Sequence, residues 1–195
     1  MAQNKLKTNF KVLLIGGSAG SLEVLMRLFP RFSSLDSLAI VIVLHRKNTE
    51  DSLLEELFEM KTQIPVKEVE DKVELQPSFL YIAPADYHLL FEKNGRLSLD
   101  TSEKVNFSRP SIDVSFESAA EVYGTNLTAI LLSGANTDGT EGLKMIKELG
   151  GTIVVQKPED SKMPFMPQNA IFNTSPDFIL SEQQIFELIV KINQN

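Results

Sequence analysis

Leu38 to Leu44 reads Leu-Ala-Ile-Val-Ile-Val-Leu, an apolar run with no polar residue at any second position. A strand with one wet face alternates; an unbroken run must be covered on both faces, which calls for a parallel sheet between layers of helices. Lys11 to Ile15, Leu127 to Leu132 and Thr152 to Val155 repeat this strand pattern. Helical spacing fills the gaps: a helix from about Ser21, and one over Ser52 to Lys61 with Leu53, Leu54, Leu57 and Phe58 on one face. Another runs from Thr140 to Leu149 and is closed by Gly150. Such alternation is the signature of βαβ units, and right-handed crossovers stack them into a three-layer α/β/α sandwich.

The middle of the chain changes style. Phe79 to Ile82 and Leu89 to Glu92 read as short strands, and Asn94-Gly95 predicts a type I′ hairpin leading into Leu97 to Leu99. Pro110 is expected to open a helix that Gly124 stops after Tyr123. Lys157 to Pro167 holds three prolines and reads as a loop at the rim of a site, before a short helix near Gln168 to Phe172. Ser181 and Gln184 form a capping box that starts a last helix. No repeat or flexible linker divides the sequence, so 1–195 reads as a single domain whose elements run from about Phe10 to Ile192.

Charge and composition exclude several classes. Twenty-six acidic against 19 basic side chains give a net charge of -7, the wrong sign for nucleic acid or an anionic membrane. With no cysteine there is no disulfide, thiolate metal site or cysteine nucleophile, which suits the reducing cytoplasm. Two histidines make a histidine-rich metal site untenable, so neither metal nor cofactor is expected. The polar, basic first ten residues do not resemble a signal peptide, and no apolar run is long enough to insert into a membrane.

In open parallel sheets ligands sit beyond the carboxyl ends of the strands. Three loops there carry the residue types of an acyl-transfer site. Ser18 follows the first strand, His45 the second and Asp138 the Leu127 to Leu132 strand. A serine hydroxyl needs a base to take its proton, worth about 10²–10⁴-fold, and a carboxylate to orient that base. Ser18 lies in Gly16-Gly17-Ser18-Ala19-Gly20 at a strand-to-helix turn, so the amides of Ala19 and Gly20 are the expected oxyanion donors. Each residue alone has a plainer reading: a helix cap for Ser18, a surface or core histidine for His45, a turn for Asp138. Their shared edge is what favours chemistry.

Other folds with glycine-rich turns fit less well. The elbow of α/β-hydrolases matches G-x-S-x-G, but those enzymes order the triad Ser, acid, His, and here His45 precedes Asp138. A dinucleotide-binding domain requires G-x-G-x-x-G and an acid after the second strand, and a P-loop requires Gly-Lys-Ser/Thr; none is present.

The chain resembles the catalytic domain of the chemotaxis-receptor methylesterases, the CheB type. The resemblance rests on Ile15 to Gly20, Leu44-His45, Tyr81 to His88, Arg109 to Asp113, Leu132 to Gly139, and Phe165-Met166-Pro167 with Ala170-Ile171, in that order. It implies a seven-stranded, mainly parallel sheet and hydrolysis of glutamate γ-methyl esters on receptor helices, with glutamine deamidation as related chemistry. The family's nucleophile, base and acid fall on Ser18, His45 and Asp138. His88, in the Pro84 to His88 motif, is expected to be structural or to line the substrate site. Arg109 is a candidate to hold an acidic receptor side chain, and Ala135 stands where the family commonly has methionine. Ala19 departs from the family's threonine and Ser21 from its second glycine; the departures at Ala19 and Ala135 keep open a module that retained the fold and lost or changed the activity. Regulated members begin with a receiver domain; with a first strand at residue 11, cis gating is not expected, and a response regulator acting in trans stays open as a partner.

Overall fold

The computed structural model describes residues 10–46 and 54–194. Seven strands form one sheet: β1 (Lys11–Gly17), β2 (Leu38–Leu44), β3 (Val66–Glu68), β4 (Leu80–Ile82), β7 (Leu127–Leu131), β8 (Thr152–Gln156) and β9 (Phe178–Leu180). Their order is β3-β4-β2-β1-β7-β8-β9, and every pairing is parallel. β5 (His88–Phe91) and β6 (Leu97–Asp100) form a separate antiparallel hairpin. The three-layer architecture with a hairpin insertion is therefore as the sequence predicts.

The two faces of the sheet bury alternate residues of the same strands. Val12, Leu14, Val41, Val43, Ala129 and Val155 pack under α3 (Ile112–Tyr123), α4 (Thr140–Glu148), α5 (Phe165–Asn173) and the hairpin. Leu13, Ile15, Ile40, Ile42, Ile130 and Val154 pack under α1 (Ser21–Leu28), α2 (Leu54–Glu59) and α6 (Glu182–Asn193). All seven residues of β2 are buried. At about 25 cal/mol per Å² of apolar surface, a strand covered on both sides must be apolar throughout. The predicted Ser52 and Leu53 lie outside the described residues, while Leu54 and Phe58 are buried as expected.

Local expectations needed four corrections. β3 and β9 were not anticipated; each is three residues long and takes an edge of the sheet, where one neighbour suffices and the apolar signal is weak. Asn94-Gly95 does not make a type I′ turn. Phe91 pairs with Leu97 and the Glu92 amide donates to the Arg96 carbonyl, which leaves the three residues 93–95 as the loop. Only Gly95 there has positive φ, at 83°, as in three-residue hairpin loops. Pro110 does not open α3: Ser111 is its N-cap, accepting from the Val114 amide, and Gly124 closes it. α5 starts at Phe165 rather than near Gln168, because Pro167 falls in a first turn whose amides need no intrahelical partner. The Ser181–Gln184 capping box forms in full.

Candidate functional site

Chain order places a topological switch at β1, since β2 lies on one side of it and β7 on the other. The crevice beyond the carboxyl ends of β1 and β7 is where such sheets place ligands. Ser18, Ala19 and Gly20 make the entire β1–α1 connection, with Gly20 at φ 88° in the left-handed region. Buried Ser133, just past β7, pins this turn. Its carbonyl accepts the Ser18 amide at 2.9 Å and the Ser21 hydroxyl at 2.7 Å. The Ser133 hydroxyl donates to the Ala19 carbonyl at 2.7 Å, and its amide donates to Gln156 Oε1 at 2.9 Å.

His45 leaves β2 with its amide donating to the Gly17 carbonyl at 3.1 Å, which fixes it beside the serine turn. Its Nε2 lies 2.7 Å from Asp138 Oδ2. Its other nitrogen, Nδ1, is approached by Asn136 Nδ2 at 3.4 Å and Ser108 Oγ at 3.5 Å. A carboxylate acceptor at one nitrogen and donors at the other favour the tautomer with its proton on Nε2 and a lone pair on Nδ1. Among the described residues Ser18 Oγ makes no hydrogen bond to His45. The structure thus joins His45 and Asp138 directly and places the Ser18 turn alongside, with the Ser18 hydroxyl unengaged among the described residues.

Asp138 is fully buried and heavily solvated by the protein. Oδ2 also accepts the Ile112 amide at 2.7 Å; Oδ1 accepts the Asp113 amide at 3.0 Å and the Ser111 hydroxyl at 2.9 Å. The start of α3 therefore points at this carboxylate with its cap and first amides, the favourable end for an anion. Burial alone pushes Asp138 up, but the His45 contact and the Asp113 and Ile112 amides outweigh it and hold the carboxyl down at about 2. Its neighbour Asp113 goes the other way, to about 7, chiefly through burial, opposed by the Gly142 amide and reinforced by the charge on Asp138. Asn106 Nδ2 bridges the pair, donating to Asp113 Oδ2 at 2.9 Å and to Asp138 Oδ1 at 3.2 Å. Two adjacent carboxyls pushed apart in this way leave the one bonded to the histidine ionised.

The remaining expected residues divide. Ala135 is exposed in the β7–α4 loop, at the rim. His88 is not available to substrate: it is 1% exposed, Nδ1 accepts the Ser111 amide at 3.2 Å, and Nε2 bonds the Glu103 carbonyl at 2.9 Å. It braces the N-terminus of α3, and its expected substrate-lining role is corrected to a structural one. Arg109 likewise turns back on its own loop, donating from Nη1 to the carbonyls of Thr101 and Ser102 at 2.7 and 2.8 Å, which is a correction to its expected place on the substrate. Asn106, Ser108, Ser111, Asp113, Ser133 and Asn136 were given no role from sequence. Ser111 carried a legible signal, as a cap-type residue before an apolar helical pattern.

The family model described as CheB methylesterase matches residues 13–189. The chain is 43% identical over 187 residues to a protein of Leptospira interrogans, covering 96% of this chain and 97% of that one. It is 33% identical to a Thermotoga maritima protein-glutamate methylesterase/protein-glutamine glutaminase, over 93% of this chain and 54% of that protein. A similarly named Archaeoglobus fulgidus protein is 31% identical over 97% of this chain and 57% of its own length. The chain thus spans about half the length of these last two. The crystal structure of the Thermotoga maritima CheB methylesterase catalytic domain superposes with a TM-score of 0.89 at 32% identity, covering 95% of this chain and all of that one.

Proposed function

The chain belongs to the CheB methylesterase family, and from that premise we propose that it hydrolyses glutamate γ-methyl esters on chemoreceptor helices, with Ser18, His45 and Asp138 as its triad. The observation that carries the assignment is the 2.7 Å contact between His45 Nε2 and the ionised, helix-capped Asp138, held beside the Ser18 turn.

The geometry gives each group a step. Rotation about χ1 brings Ser18 Oγ toward His45 Nδ1, the nitrogen that carries the lone pair, where it displaces the long contacts from Ser108 and Asn136, as apo sites often require. The hydroxyl oxygen attacks the ester carbonyl carbon while Nδ1 takes the proton. Asp138 stabilises the doubly protonated ring through Nε2–H. The Ser18 amide is committed to Ser133, so the carbonyl oxygen, now an anion, is received by the amides of Ala19 and Gly20 at the positive end of α1. The C–O bond to methyl alcohol breaks as Nδ1–H protonates the leaving oxygen. Water then attacks the glutamyl–serine ester by the same route in reverse, restoring Ser18 and releasing a glutamate carboxylate. A glutamine amide follows the same path with ammonia leaving. No cofactor enters these steps. On this reading the partner is the cytoplasmic part of a receptor, and the enzyme works in the cytoplasm. No described helix is long and apolar enough to cross a membrane.

Methanol release from a methyl-labelled receptor tests the reading. Ser18→Ala is expected to lower it at least about 10³-fold, the scale lost with a nucleophile; release at the wild-type rate would remove Ser18 from the mechanism. A second reading, a module that keeps the fold without the activity, draws on the unengaged Ser18 hydroxyl and on Ala19. Labelling by a fluorophosphonate probe separates the two, since an unactivated serine stays unmodified.

A further inference from the structure

The connection between β6 and α3 contains a tight turn, Val105-Asn106-Phe107-Ser108, closed by an antiparallel bridge between its outer residues. The Val105 amide donates to the Ser108 carbonyl at 3.2 Å and the Ser108 amide to the Val105 carbonyl at 2.9 Å. Both central residues have positive φ, Asn106 at 51° and Phe107 at 62°. That is the pattern of a type I′ turn, whose second central position favours glycine. Asparagine tolerates this conformation; a bulky aromatic does not adopt it readily. Phe107 is also 98% exposed, so no packing against the described residues compensates for the strain. A strained, fully exposed aromatic held at the tip of a closed turn points to a role outside the fold.

The shoulders of the turn say where that role lies. Asn106 binds the Asp113–Asp138 pair and Ser108 approaches His45 Nδ1. The nucleophile side of the crevice has its own exposed apolar group: the Met163 amide donates to Ser133 Oγ, the same hydroxyl that holds Ala19. Met163 is 38% exposed and Phe165, two residues on, 51%. Apolar side chains thus flank the crevice on both sides, Phe107 by base and acid, Met163 by the serine turn. The pocket behind Asn106 offers Phe107 no apolar partner, being lined by Asp113, Thr137, Thr140 and Asn169 among others.

We propose that Phe107 is a docking residue for the protein substrate, seated against apolar residues that flank the esterified glutamate on a receptor helix. This rests on the methylesterase reading and deepens it. The occupant is the substrate itself, because an ester carbonyl reaching Ser18 and His45 brings its chain past this turn. Its attraction is apolar rather than ionic: the enzyme carries a net charge of -7, so an acidic helix gains nothing from its overall field. On a helix, residues three or four positions from the ester share its face and reach Phe107 on one side or Met163 on the other.

The test compares methanol release from a methyl-labelled receptor cytoplasmic fragment with hydrolysis of p-nitrophenyl acetate by the same protein. For Phe107→Ala, the ratio of receptor kcat/KM to small-ester kcat/KM is expected to fall about tenfold, mostly through KM, with Phe107→Leu recovering part. Phe107→Gly is expected to show the same loss while melting at a higher temperature, because glycine relieves the turn. Exposed Met60, at the end of α2, serves as the control substitution Met60→Ala. A Phe107→Ala ratio equal to that of wild type overturns the docking assignment alone. Wild-type protein that turns over the small ester and releases no methanol overturns the methylesterase reading and the docking role with it.

Discussion

Asp113 holds its proton to about pH 7 while Asp138, bonded through the same Asn106 amide, stays ionised to about pH 2. The consequences for stability have opposite signs. Asp113 is raised, so between its ordinary value near 4 and pH 7 the native protein holds a proton that the unfolded chain lacks, and stability declines as pH rises through that window. Asp138 is lowered, so its contribution is present above the ordinary value and is lost only as pH falls from about 4 toward 2. Asp113→Asn removes the first titration and leaves the second. Urea unfolding at pH 5 and pH 8 is expected to show the variant gaining on wild type at the higher pH. An equal difference at both values would mean that Asp113 ionises normally. This pair was not legible in the sequence. Ser18, His45 and Asp138 announce themselves by residue type at strand ends, but Asn106 acquires its role only from a carboxylate 32 positions away, and Ser133 from a turn 114 positions away.

The contact between α3 and α4 fixes how the start of α3 meets Asp138. A Cβ on Gly142 would lie 2.4 Å from Phe116 Cβ and 3.1 Å from the Asp113 carbonyl. Neither atom is the far end of a flexible side chain, so neither swings aside. Gly→Ala inside a helix ordinarily gains about 1 kcal/mol of propensity. Here overpacking of about 1–3 kcal/mol opposes it, and the Gly142 amide loses its 2.8 Å bond to Asp113 Oδ1 if the helices part. Gly142→Ala is expected to destabilise by about 1–2 kcal/mol, read as a lower urea midpoint at unchanged m. A midpoint at or above that of wild type would show that the interface yields. Elements were legible in proportion to their burial. β1, β2, β7 and β8 were found because strands covered on both faces are apolar throughout, whereas edge strands β3 and β9 were missed. The hairpin was found from alternation and Asn-Gly, yet its loop length was misread, because Glu92–Arg96 pairing decides it.

Across the whole molecule the net charge is -7, and on the methylesterase reading the product is negative too, since each turnover would convert a neutral ester to a carboxylate. Long-range repulsion of an acidic receptor fragment weakens as the screening length shrinks from about 30 Å at 0.01 M salt to about 8 Å at 0.15 M. Receptor kcat/KM is therefore expected to rise several-fold over that range, with p-nitrophenyl acetate hydrolysis flat. A fall with salt would show that local positive groups steer the encounter instead. Burial and hydrogen bonding of the chain with itself divide what could be read in advance from what could not. Local patterning was enough for the parallel sheet, its two helical layers and the edge that carries Ser18, His45 and Asp138, because strand ends and apolar runs are properties of single segments. Three-dimensional packing alone set which imidazole nitrogen faces Asp138, that α3 solvates that carboxylate, that His88 and Arg109 bond within the scaffold, and that Phe107 is exposed. Those outcomes depend on partners brought together across the fold, and no local pattern encodes a distance between segments.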